Sequence, residues 1–423
     1  MFIISQFSST ERLSVIFLIN QIIMTAPTRV LVVGSGIIGL QTALELMEQG
    51  MSVILHAPCP PWHVSTCSVV AGGLWMPSHC VDPRVHPWAI ETLYELWSMV
   101  DDQKRAAGMH AILVEQLPCV VLKRDPTVEV PDWTQEPRLQ FRQLSIQDLY
   151  LQNKRSNQRR LHLPHWNDVR NAGYTRAWYF ETAVVNVPCM LRLLLNQVTN
   201  HPNAVQVNVD TNHWFTSLRE MIETAESLQC DSVVNCTGLG AAYLEDNQEQ
   251  MMVPGRGVTL QFNRSTIVRR KYGDDDEVDD TVAISDSDSN DDEYYQDAVV
   301  KTDDEPWATT NMPVYLIPRG NTLVVGGSML KGDAHESIRE IEYQQLLLNA
   351  HRLGIDVDQS PPPVSVTGFR PYRTPTIRVE VDAHYSGSNG SPRLVHNYGH
   401  GGSGWTISVG AAKECVKLLL EQN

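Results

Sequence analysis

The sequence contains no CxxC pair, and none of its eight cysteines stands at zinc-ligand spacing from a histidine. Scattered cysteines in a chain of 423 residues read as reduced, packed thiols, which sets aside a disulfide scaffold and a structural metal site. No apolar run reaches the ~20 residues that a membrane-spanning helix needs. The nearest, residues 13–23 (LSVIFLINQII), follows Arg12 and is short and interrupted. It fits either a signal-peptide core or an extension outside the fold. The second reading is preferred, because Met24 stands just before the first core strand, so residues 1–26 are expected to be an N-terminal extension. Positive charge is also scarce, with 33 Lys and Arg against 49 Asp and Glu. The imbalance is local: residues 272–306 hold fifteen acidic residues and one lysine, so about −14 of the formal −16 sits in one segment. That distribution argues against a nucleic-acid role and marks 272–306 as a low-complexity, disordered surface insertion. Within it, Ser285 and Ser289 each precede an aspartate by three residues, a pattern an acidophilic kinase could use.

What is present is length for two closely joined domains and apolar content ordinary for a globular protein. Residues 29–33 (RVLVV) read as a buried parallel strand, followed by a glycine-rich turn, a helix through Gly50 and a second strand over 52–56. Gly34-Ser35-Gly36-Ile37-Ile38-Gly39 matches GxGxxG in this βαβ setting. Such glycines allow a tight turn and let a pyrophosphate approach the amide groups of a helix N-terminus. The acidic residue that often grips a ribose at the end of the second strand is missing, because the chain there reads His56-Ala57-Pro58. Ser65, Thr66 and Ser68 are the substitutes on offer. Ile90, Leu93, Leu96, Trp97 and Val100 recur at helical spacing, and helices are expected over 190–198 and 405–420. Short strands are expected over 205–209, 232–235, 314–317 and 322–325, and a loop over 130–171.

Further segments resemble one family. Val70-Ala71-Gly72-Gly73-Leu74-Trp75, Val234-Asn235-Cys236-Thr237-Gly238 and Pro254-Gly255-Arg256-Gly257 are similar to motifs of the D-amino-acid oxidases. So are Gly368-Phe369-Arg370-Pro371 and His396-Asn397-Tyr398-Gly399-His400-Gly401-Gly402-Ser403-Gly404, in the family's order and spacing. The resemblance covers most of the chain from about residue 29 to 420. It implies an α/β fold, with a Rossmann-like FAD-binding domain interwoven with a mixed-sheet substrate domain. The FAD-binding parts would be about 27–110, 185–260 and 364–423, and the substrate parts about 111–184 and 261–363.

By the same resemblance, Gly34, Ser35, Gly36, Ile37, Ile38 and Gly39 would meet the FAD pyrophosphate. Cys67, Ser68, Gly72, Gly73, Leu74 and Thr237 would lie near the cofactor. Gly401, Gly402, Ser403, Gly404, Trp405 and Thr406 would approach the isoalloxazine. A helix starting there would stabilise negative charge on reduced flavin. Arg370 would clamp the substrate α-carboxylate, Tyr315 would donate to it, and the Gly402 carbonyl would face the amine. His396 and His400 read as packing or hydrogen-bonding residues. The implied reaction is hydride transfer from a D-amino acid to flavin N5, giving a 2-oxo acid, ammonia and, with oxygen, hydrogen peroxide. Met329 replaces an arginine of D-aspartate-specific relatives, which favours neutral substrates, while Met76 and Asn311 are expected to shape the pocket. D-aspartate oxidation, a glycine- or sarcosine-type oxidase, a nicotinamide dehydrogenase and a non-catalytic flavoprotein module are the competing readings. No metal is implied, and a homodimer is common in the family. The compartment expected is peroxisomal or cytoplasmic, although the final Glu421-Gln422-Asn423 is not a Ser-Lys-Leu-like signal.

Overall fold

The computed structural model describes residues 28–77, 82–105, 112–156, 159–247, 251–270, 295–302, 314–387 and 390–421. The N-terminal extension, Asn311, Ser285 and Ser289 lie outside the described residues. The chain opens with β1 (Arg29–Val33), α1 (Ile37–Glu48) and β2 (Ser52–Ala57), the expected βαβ unit. The helix ends two residues early, and Gly50 turns the chain at φ +82°. There follow α2 (Val85–Arg105), β3 (Val114–Lys123), β4 (Arg142–Ser145), α3 (Ile146–Lys154), β5 (Arg160–Leu161), α4 (Trp166–Asn171), β6 (Arg176–Val185), α5 (Val187–Asn200), β7 (Ala204–Val209), α6 (Leu218–Ser227) and β8 (Ser232–Asn235). The second half holds β9 (Met252–Asn263), β10 (Tyr295–Gln296), β11 (Val299–Thr302), β12 (Tyr315–Arg319), β13 (Thr322–Gly326), β14 (Leu330–Lys331), α7 (Glu340–Arg352), β15 (Val364–Arg373), β16 (Arg378–Ser386), β17 (Arg393–Tyr398) and α8 (Gly404–Leu420).

Two large sheets organise these elements. In the first, of order β16-β17-β8-β1-β2-β7, all neighbours are parallel except β16 against β17. Its central strands β1, β2 and β8 are covered on both faces and are therefore mostly apolar. Val30 and Val32 pack with Leu40 of α1 and Ile407 of α8, while Leu31 and Val33 pack with Met221 and Ile222 of α6. The second sheet is mixed, in order β14-β9-β13-β12-β11-β3-β6-β4, with β15 paired to β9.

Two expectations need correction. Residues 130–171 contain β4, α3, β5 and α4, because apolar residues such as Ile146, Leu149 and Val169 are buried within the polar surroundings. The insertion 272–306 runs too far: Val299–Thr302 is fully buried and pairs with both β3 and β12. β15 pairs with β9 over ten residues, from Val364↔Gln261 to Arg373↔Met252. Both strands therefore belong to the mixed sheet.

Candidate active site

A cavity of about 830 Å³ draws its lining from both sheets. That is large for small-molecule and cofactor sites, which span roughly 300–1,000 Å³. At one end lies the turn between β1 and α1. Gly34 has φ +118°, and a Cβ there would run into the Cys236 carbonyl, while one on Gly39 would run into the Gly34 carbonyl. Only glycine lets the turn fold this tightly. The Gly34 amide donates to the His56 carbonyl at 2.8 Å, tying the turn to β2. The Ile37 amide, in the first turn of α1, donates to Ser68 Oγ at 3.0 Å. The neighbouring amides leave positive potential facing the cavity.

The middle of the cavity is closed by residues 67–76. Gly73, at φ +78°, is pressed against the Val185 carbonyl, and its own carbonyl accepts from the Val185 amide at 2.8 Å. Arg319 donates to the Ala71 carbonyl at 2.5 Å. Burial lowers the Arg319 guanidinium to about 10, still well above neutrality. Cys67 Sγ donates to the Phe369 carbonyl at 2.6 Å, and desolvation pushes the thiol up to about 12, so it is protonated and inert.

The other end is built on the mixed sheet. Register places Thr259, Gly326, Tyr315 and Lys301 side by side on β9, β13, β12 and β11, in one row across the sheet. Directly opposed residues share a face, so the three side chains of this row turn toward the cavity together. The Tyr315 ring leans over Gly326, where a Cβ would collide with it. The Arg370 guanidinium lies over Gly257 of β9 in the same manner and donates to the Ser328 carbonyl at 3.2 Å. Tyr315 and Arg370 therefore lie over glycines on adjacent strands, and a Cβ on Gly402 would stand 3.5 Å from Arg370 Cδ. Tyr372 completes this end: its ring fills the space left by Gly255 and Gly401.

One histidine sits behind the wall and another within it. His396 Nε2 pairs with Asp382 at 2.9 Å. Burial opposes ionisation of Asp382, yet hydrogen bonds from His396 and the His384 and Tyr385 amides hold its carboxyl well below the usual range. His400 lines the cavity, and desolvation lowers it to about 3, so it is neutral at working pH. Burial lowers His396 as well, against the pull of its hydrogen bond to Asp382.

Of the residues expected at the site, Gly34, Ser35, Gly36, Ile37, Ile38, Cys67, Ser68, Gly72, Gly73, Leu74, Thr237, Tyr315, Arg370, Gly401, Gly402, Gly404 and Trp405 line this one cavity. Gly39, Ser403 and Thr406 do not. Gly39 packs inside the turn, the Ser403 carbonyl caps Thr406 and Ile407 amides, and Thr406 Oγ1 accepts from the Met76 amide at 3.3 Å. Met76 lines the cavity, and Met329 does not. Sequence reading missed Lys301, Tyr372, Trp214 and Tyr243, all of which line it. Tyr372 carried a signal, since it stands two residues beyond Arg370 on one strand and so shares its face. Lys301 was masked by the acidic run around it.

The profile described as FAD dependent oxidoreductase (DAO) matches residues 29–418. A D-amino-acid oxidase of Rubrobacter xylanophilus is 26% identical over 391 residues, covering 92% of this chain and 95% of that one. A human D-aspartate oxidase is 24% identical over 402 residues, covering 93% and 95%. Among solved structures, glycine oxidase from Geobacillus kaustophilus superposes with a TM-score of 0.65 at 15% identity, covering 94% of this chain and 96% of that one. The residues present suit FAD on their own terms. The turn at Gly34 and Gly36 is a cradle that side chains would fill, it opens onto a helix N-terminus, and the cavity continues from there to Arg370. The chain belongs to the family of FAD-dependent oxidoreductases, with FAD as its cofactor.

Proposed function

We propose that this protein is an oxidase of D-amino acids, converting substrate, water and oxygen to a 2-oxo acid, ammonia and hydrogen peroxide. The observation that carries the reading is the placement of Arg370 over Gly257 and Tyr315 over Gly326, on adjacent strands at the end of the cavity beside Gly402. A guanidinium fork holds both oxygens of an α-carboxylate, and a phenol hydroxyl adds a third donor. The Gly402 carbonyl is the acceptor for the amine. Bound FAD supplies the hydride acceptor. The side chains then act by orienting the Cα–H bond, which is consistent with the neutral, buried His400 and the inert Cys67.

The side-chain class of the substrate has two readings. The missing arginine at position 329 favours neutral D-amino acids, although Met329 itself stands outside the cavity lining. Lys301 favours acidic ones: it is a 6% exposed lysine lining the cavity, opposite Tyr315 in the sheet, with Nζ 3.8 Å from Met76 Sδ. An ammonium in the cavity lining can pair with a carboxylate on the substrate side chain.

Peroxide release by the purified, FAD-loaded protein on a panel of D- and L-amino acids, glycine and sarcosine tests both. Turnover of D-enantiomers, abolished in Arg370→Ala, is expected. Turnover of glycine or sarcosine alone would overturn the substrate class. Preference for D-aspartate or D-glutamate that reverts in Lys301→Met would select the acidic reading.

A further inference from the structure

The end of β2 offers no carboxylate to a ribose, and the hydroxyls nearby are engaged. Thr66 Oγ1 donates to the Pro61 and His63 carbonyls at 2.9 Å each. Ser65 Oγ bonds His63 Nδ1 at 2.7 Å, and Ser68 Oγ holds the Ile37 amide. What this end of the cavity presents instead is bare aromatic surface. Trp214 is 60% exposed and Tyr243 is 81% exposed, and both line the cavity. Trp214 stands on the loop after β7 and Tyr243 at the end of the turn after β8. Since the sheet runs β8-β1-β2-β7, these two loops flank the glycine turn on opposite sides.

The loop carrying Trp214 is braced from behind. His56, His213 and Phe215 form a cluster of edge-on rings with centroids 4.9–5.3 Å apart. The Glu220 carboxylate accepts from the Thr216 amide and hydroxyl at 2.7 and 2.9 Å, and bonds His213 Nε2 at 2.9 Å. Its neighbours on either side are thus fixed, while the indole itself is left open to solvent at the cavity edge. A large exposed ring on a braced loop is surface kept for a flat partner.

We propose that Trp214 and Tyr243 line the seat of the FAD adenine, so that aromatic contact replaces the ribose carboxylate this chain lacks. The inference rests on the FAD assignment and names which residues of this chain hold the end of the cofactor remote from the chemistry. Base–aromatic stacking is strong enough that removing one ring typically weakens binding by roughly ten- to a hundredfold.

The test is titration of the full-length apoprotein with three probes: FAD, ADP and FMN. ADP keeps the adenine and lacks the flavin, whereas FMN keeps the flavin and lacks the adenine. Trp214→Ala should weaken FAD and ADP at least tenfold and leave FMN within twofold, and Trp214→Phe should recover most of the loss. Tyr243→Leu should give a smaller loss with the same pattern. Both rings are exposed, so neither change should disturb folding, and the FMN result checks that the cavity is intact. Unchanged FAD and ADP affinity in Trp214→Ala, or equal losses for ADP and FMN, would overturn the seat. Wild-type protein that bound none of the three would overturn the cofactor assignment itself, and the seat with it.

Discussion

The glycine turn meets the cavity with backbone, and the Arg370 end meets it with side chains. At the first, Gly34, Gly36 and Gly39 lie within six residues and bring amides from one turn and one helix start. At the second, Lys301, Tyr315 and Arg370 come from strands up to 69 positions apart and meet only through sheet register. The difference separates two kinds of selectivity. The glycine end selects by shape, because almost any added atom collides. The Arg370 end selects by charge and hydrogen bonding, because its side chains are long and replaceable. Damage to the first should therefore appear as lost cofactor, and damage to the second as lost turnover with cofactor still bound.

The largest expected effect lies at the second end. Arg370→Ala removes a charge-assisted, two-pronged contact, and losing such a partner to a carboxylate costs about 2–5 kcal/mol. We expect kcat/KM for D-amino acids to fall about 10³-fold, while the flavin absorbance of the purified protein stays at the wild-type level. Loss of the flavin in this variant would break the separation of the two ends. The next effect lies at the first end. Gly34→Ala must accommodate a Cβ against the Cys236 carbonyl and a φ of +118°. Overpacking and backbone strain of that kind each cost about 1–3 kcal/mol. FAD affinity should fall about a hundredfold, read by flavin fluorescence. Gly50→Ala is the control: its φ is also positive, at +82°, but nothing lies within 4 Å of the added Cβ, so FAD affinity should hold.

The same contrast explains how much could be read from the sequence. The turn at Gly34 to Gly39 was legible because its constraint is local: a strand, a tight turn and a helix follow one another along the chain. Arg370, Tyr315 and Gly402 were legible only through the motifs around them, since no spacing rule links Arg370 to Tyr315. Lys301 was hidden twice over. Its strand sits in an acidic stretch whose composition reads as solvated, and its place beside Tyr315 depends on pairing with β12. Trp214 and Tyr243 carried no local signal, because exposed aromatics in loops have no periodicity to betray them. Gly39 and Thr406 belong to the motifs yet stand outside the cavity lining, with Gly39 packed inside the turn and Thr406 Oγ1 bonded to the Met76 amide.

A milder change sharpens the chemical end. Tyr315→Phe keeps the ring over Gly326 and removes only the hydroxyl. A hydrogen bond to a charged group is worth about 1.5–3 kcal/mol, so kcat/KM should fall about tenfold, mostly through KM if the hydroxyl holds substrate and transition state alike. A loss as deep as that of Arg370→Ala would mean that Tyr315 does more than bind the carboxylate. No loss at all would remove it from the site.

The smallest effect concerns Thr259, which shares the sheet row of Tyr315 and Lys301 and is as deeply buried as Lys301. Its Oγ1 is buried and has no hydrogen-bond partner among the described residues. Holding an unsatisfied hydroxyl away from water costs about 1–3 kcal/mol, a cost that valine, of nearly the same shape, does not carry. Thr259→Val should therefore leave the melting temperature of the apoprotein unchanged or raise it by a few degrees. At the glycine end the equivalent one-atom changes are all expected to be losses, because there the constraint is space and not polarity. A stability loss in Thr259→Val would show that the hydroxyl has a partner in the folded protein, and that this row of the mixed sheet is as tightly specified as the turn at Gly34.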